Sequence, residues 1–126
     1  MSNEMPGLKQ SFIQEDTSVI KYRLVKQGTT ALQVVAATAD TDVLFGITDD
    51  SASSTAGEPV GVTVTGFAKL VIASATTKGA YITATTGGKG VATTTDKKKY
   101  VGILQETTTV SDQVAMVQLM PGTLSV

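Results

Sequence analysis

The stretches "FGITDDSASSTAGEPVGVTVTG" (Phe45–Gly66) and "VGILQETTTVSDQVAMVQLMPG" (Val101–Gly122) follow one plan. Each opens on an apolar residue, a glycine and an isoleucine, then crosses an acidic, Ser/Thr-rich patch. Each enters a valine-rich alternating run and stops at a glycine. Alternation of apolar and polar residues marks a half-buried strand, so both stretches read as strand, loop, strand. The copies lie roughly 55 residues apart, as two repeated units of one small domain would. Their alignment needs a short gap in the loop, and convergent strand–turn–strand chemistry is the other explanation. Gly46 and Gly102 predict a close backbone approach or a bulge, while Gly66 and Pro121–Gly122 are expected to end the second strands. Two such units are expected to pack face to face around a pseudo-symmetric core.

The same signals extend outward in both directions. "SVIKYRLVK" from Ser18 alternates, with Ile20, Tyr22 and Leu24 on one face. "ALQVVAAT" reads as a second strand, and "DVLFGIT" is apolar enough to be buried on both faces. "PVGVTVT" places Val60, Val62 and Val64 inward, and "FAKLVIAS" follows as a separate strand after Gly66. "AYITAT" and "VATT" flank "TGGKG", whose paired glycines supply the positive φ of a hairpin turn. "YVGILQE" and "VAMVQLM" close the chain. About nine short strands at 8–12-residue spacing predict an all-β fold: a compact single-domain β-sandwich or a partly open, β-tulip-like barrel. No stretch carries a sustained helical stripe.

Residues 1–16 stand apart. Pro6–Gly7 breaks regular structure, and Leu8, Phe12 and Ile13 are isolated apolar points in a polar run. The expected division is an extended N-terminal arm, 1–16, and a β-domain, 17–126.

Composition narrows the function classes. The chain has 126 residues, a net charge of -1, no His and no Cys. A near-neutral charge offers no basic field to nucleic acid or an anionic membrane. No apolar run approaches the roughly 20 residues of a spanning helix, and the start lacks the pattern of a secretory signal. Without His or Cys, the commonest general base, the strongest nucleophile and the main transition-metal ligands are missing. Roughly a quarter of the chain is Ser or Thr, residues at home on half-exposed strands.

Each candidate for chemistry has a plainer reading. "TTGGKGVAT" contains Gly–Lys, but a phosphate loop needs GxxxxGK then Ser or Thr between strand and helix, whereas Gly90 follows Lys89 here. Asp40, Asp42, Asp49 and Asp50 lack the alternating order and closing Glu of a calcium loop. Lys97–Lys99 has no interleaved aromatics for stacking on bases and reads as a guard against edge-to-edge pairing. Glu106 with Asp112, or Asp49 with Glu58, would need a cleft with aromatic platforms to act on sugars, and the chain has no Trp. No enzyme, cofactor or metal is expected.

The order of these pieces resembles the capsid cement (decoration) proteins of tailed bacteriophages. The resemblance covers about Ser18 to Gly122. It lies in "LVKQG", "LFGITDD", "PVGVTVTGFAKL", "KGAYITATTGGKGVAT" and "KYVGILQE" before a valine-rich last strand. It implies a compact β-domain, often trimeric, that binds the outer surface of an icosahedral head and clamps adjacent major capsid subunits. The implied partners are the major capsid protein and two further copies of the chain, with no nucleic acid or membrane, and the implied location is the virion. The other reading is a virion- or cell-surface module that recognises a glycan or a host protein; it predicts exposed loop aromatics, of which this chain has few.

A clamp needs no catalytic group, only a stiff body and a grip. The arm is expected to grip by adding a strand to the shell. Ordering ten residues costs on the order of 10–20 kcal/mol, while backbone hydrogen bonds return about 0.5–1.5 kcal/mol each. Buried apolar side chains must supply the remainder, so Met5, Leu8, Phe12 and Ile13 are the expected shell-binding residues.

Overall fold

The structure, a computed structural model, describes residues 5–95 and 98–125, with side chains in the first strand described from Leu8 onward. Nine strands follow in order: β1 (Met5–Gln14), β2 (Leu24–Gln27), β3 (Gln33–Ala36), β4 (Leu44–Thr48), β5 (Pro59–Ile72), β6 (Tyr81–Ala84), β7 (Gly90–Ala92), β8 (Lys99–Leu104) and β9 (Gln113–Thr123). A short 3-10 turn, Thr86–Gly88, joins β6 to β7. The expected all-β class holds, in its barrel form.

About nine strands were expected and nine are present among the described residues, but they are not the same nine. Residues 18–23 are not a strand: Tyr22 adopts φ +58°, a left-handed conformation that breaks an extended run. "PVGVTVT" and "FAKLVIAS" are one strand, because Gly66 absorbs a φ of +87° while still pairing with Pro6 on one side and Leu119 on the other. β9 likewise runs through Pro121 and Gly122 to Thr123. The ninth strand is β1, from the stretch expected to stand apart.

The pairings close two rings. β1, β3, β2, β4 and β5 form one five-strand circuit, and β5, β7, β6, β8 and β9 form a second. The rings share β5, whose first half belongs to barrel one and second half to barrel two. Closure leaves few free edges, which suits a chain whose regular structure is almost all strand.

The two barrels repeat each other pair by pair. β1 lies parallel to β3 and antiparallel to β5; β5 lies parallel to β7 and antiparallel to β9. Val25 pairs with Gly46 and Ala36, as Ile82 pairs with Gly102 and Ala92. Ile47 pairs with Thr63, as Ile103 pairs with Gln118. Off-ladder bonds repeat too: Thr48 N donates to Arg23 O (2.9 Å) and Leu104 N to Ala80 O (3.0 Å). A Cβ on Gly46 would collide with the Thr63 carbonyl, and one on Gly102 with the carbonyl of Gln118. The duplicated stretches are therefore β4–β5 and β8–β9, and their glycines admit the same close crossing. The units do not pack face to face as separate bodies; they are fused through one strand.

Each barrel has its own core. Val25, Val34, Val60 and Val62 fill barrel one, with Phe12, Phe45 and Val64 against them. Leu70, Ile72, Ile82, Val101, Leu104, Val117 and Leu119 fill barrel two. β4 serves both, as its apolar sequence predicts: Phe45 faces the first core, while Leu44 and Ile47 join the second. Arg23 fastens the barrels, donating from Nη1 to Gly87 O at 3.0 Å.

Candidate docking surface

The expected grip was residues 1–16, and the structure uses Met5–Gln14 of them as a strand. β1 pairs with β5 from Met5↔Phe67 to Ile13↔Pro59, and its end pairs with β3 at Ile13↔Gln33 and Gln14↔Val34. Two polar side chains lock it down. Gln14 is fully buried. Its amide nitrogen donates to Ser53 Oγ (3.0 Å), Thr55 O (3.2 Å) and Glu58 O (3.3 Å), and its oxygen accepts from Ser53 N (3.0 Å). A buried amide with this many partners fixes a single register for the strand.

The second lock is Lys9, whose Nζ lies 3.4 Å from Asp49 Oδ2, just beyond β4. Asp49 is nearly enclosed; burial pushes its pKa up, but hydrogen bonds from the Ser51 hydroxyl and amide, with Lys9, outweigh that and hold it below the ordinary carboxylate value. Gly61 makes room, since a Cβ there would collide with the Asp49 carboxylate.

The four expected shell-binding residues part company on this strand. Leu8, opposite Thr65, is 52% exposed. Phe12, opposite Val60, packs on the core of barrel one with its ring 5.4 Å from that of Phe45. Ile13 is half-buried, its amide donating to Leu32 O at 3.0 Å. Met5 stands opposite Phe67; its side chain, like residues 1–4, lies outside the described residues. Leu8 is thus left exposed while Phe12 is spent on the fold.

The β1–β5 ladder is irregular: Pro6 lacks a backbone donor, and the register slips on both sides of Leu8.

Sequence reading missed the surface next to Leu8. Successive register pairs carry a row across the outside of barrel two: Phe67↔Gln118, Gln118↔Ile103, Ile103↔Tyr81. The Tyr81 ring packs on Tyr100 with centroids 4.8 Å apart, and Tyr100 lies over Gly122, where a Cβ would press on its hydroxyl. Val114 and Met120 are 42% and 44% exposed. The available signal was the outward parity of β9, where valine and methionine stand at positions an exposed strand usually gives to polar residues.

The remaining candidates resolve into structure. Asp42 takes amide hydrogens from Thr38 (2.9 Å) and Ala39 (3.1 Å) and pairs with Lys26 (3.3 Å). Burial raises its pKa, and these donors more than reverse that. Asp112 pairs with Lys89 at 2.8 Å, and Lys98 with Asp40 at 3.3 Å; Lys97 lies outside the described residues. "TGGKG" is the β6–β7 turn, as expected. Among the described residues no three acidic side chains converge on a common point, and no described helix is long and apolar enough to cross a membrane.

No family model matches the chain, and no curated protein matches it. Among solved structures, it is similar to the head fiber gp8.5 N base of bacteriophage phi29. The TM-score is 0.72 at 18% sequence identity, over 94% of this chain and 100% of that one. At that identity the likeness is one of fold: the two-barrel arrangement built here from β1 to β9 matches the whole length of the phage protein's base.

Proposed function

We propose that the chain is a structural protein of a tailed-phage head, seated as a homotrimer on the outer shell and holding adjacent major capsid subunits together. The observation that carries this reading is the full-length fold likeness to a phage head fiber base. The order of sequence pieces shared with capsid cement proteins points the same way. The body suits the task, because two fused closed barrels resist deformation without any catalytic group. The shell contact is assigned to the segment 1–16, of which Met5–Gln14 form β1, with Leu8 as the apolar side chain offered outward.

Co-sedimentation with purified empty heads tests this. Saturable binding at a fixed copy number is expected, and Leu8→Asp should weaken it at least tenfold while leaving the circular dichroism spectrum unchanged. Absence of binding by the unaltered chain would overturn the proposal.

A further inference from the structure

The two barrels differ in what covers them. In barrel one, Leu24, Leu44 and Ile47 are buried, yet not within their own barrel. They belong to the core of barrel two, alongside Leu70, Ile72 and Ile82. That face of barrel one is therefore sealed by a neighbouring unit of the same fold.

The corresponding positions in barrel two follow from the repeated register. Leu24↔Ile47 matches Tyr81↔Ile103, and Leu44, two residues before Gly46, matches Tyr100 before Gly102. Among the described residues nothing supplies the cover: Tyr81 is 38% exposed, and Tyr100 and Ile103 are half-buried. A hollow of about 220 Å³ beside Tyr100, lined also by Val43, Leu44 and Pro121, extends the apolar surface. Repeat arrays ordinarily finish on a unit whose outer face is polar. Barrel two does not finish that way.

We propose that the Tyr81–Tyr100–Ile103 face is a homotypic docking surface, occupied by a second copy of this chain. One observation selects this occupant: within one molecule, the equivalent face, Leu24, Leu44 and Ile47, is covered by a unit of this same fold. This deepens the oligomeric part of the reading above and needs no head for its test.

Sedimentation equilibrium of the full chain from micromolar to millimolar concentration is the experiment. Self-association is expected, with the Tyr81→Asp/Ile103→Asp variant at least tenfold weaker. Hydrogen exchange on the unaltered chain guards against a misfolded variant: amides of β6 and β8 should gain protection as concentration rises, while those of β3 do not. An oligomer that survives both substitutions, with no such protection, would overturn the surface and leave the oligomer standing. A chain monomeric throughout would overturn both. If that monomer binds heads and the variant does not, the face belongs to the shell rather than to a second copy, which also refutes the inference.

Discussion

The side-chain amide of Gln14 lies 3.0 Å from the hydroxyl of Ser53, and through that bond the first strand is tied to the loop between β4 and β5. The same side chain reaches the carbonyls of Thr55 and Glu58. Replacing Gln14 by Ala removes a cluster of hydrogen bonds and leaves a small void in barrel one. We expect a loss of roughly 2–3 kcal/mol, read as a lower urea midpoint with an unchanged slope. It also follows that removing residues 1–16 takes a strand out of barrel one and costs the fold itself, not a detachable tail.

Gly46 and Gly102 give a matched pair of steric tests. An alanine at either must displace the carbonyl of a paired strand rather than a flexible side chain. Each substitution should cost about 2–4 kcal/mol, among the larger single-residue effects. Gly79→Ala serves as contrast. Nothing stands within 4 Å of its Cβ, and only its φ of +92° is unfavourable, so about 1–2 kcal/mol is expected. Thermal melts of the three variants rank them.

Leu24 and Tyr81 hold one register position in the two barrels but sit in opposite environments. Leu24→Ala empties a fully enclosed site and should cost about 2–5 kcal/mol. Tyr81→Ala, measured at a concentration where the chain is monomeric, should cost less than about 1 kcal/mol. Equal losses would mean the outer face of barrel two is integral to the monomer.

Acid should weaken the fold through Asp42 and Asp49. Both titrate below their ordinary value in the folded chain. Their contribution is therefore complete above the unfolded value of about 3.9 and disappears as pH falls through the lower folded values. Urea midpoints should hold steady from neutrality to about pH 5 and then drop. Asp49→Asn should lower the neutral midpoint and flatten the acid limb; an acid limb as steep as that of the unaltered chain would show that Asp49 is not linked to folding.

Much of the fold was legible because strands with one buried face must alternate. β4 to β9 were readable from their valines and isoleucines, and the glycines of the duplicated stretches marked the close crossings that the pairings display. The rest depended on partners distant in sequence. Nothing local distinguishes Gln14, sitting in a polar run, as a buried anchor; its partners lie on a loop some forty positions away. Tyr22 alternates correctly for a strand but is held in a left-handed turn by the bond from its amide to Thr48 O, 3.1 Å long. Gly66 looked like a stop because a glycine with positive φ usually ends a strand, yet pairing on both sides carries the chain through. Of the expected contact residues, Leu8 and Phe12 could not be told apart before β5 fixed which one faces inward. The outer row of barrel two needs three separate registers to assemble, and no single segment announces it.

Because β5 runs unbroken through both barrels, a pull on one end of the molecule reaches the other along a covalent backbone, without crossing a hinge. β1 and β9 grip that backbone lengthwise, so tension drawn along it would load their hydrogen bonds in shear, all together, instead of peeling them open one by one. A body strung on such a tie-rod would transmit strain from one barrel to the other with little give, which suits the shell-holding role proposed above.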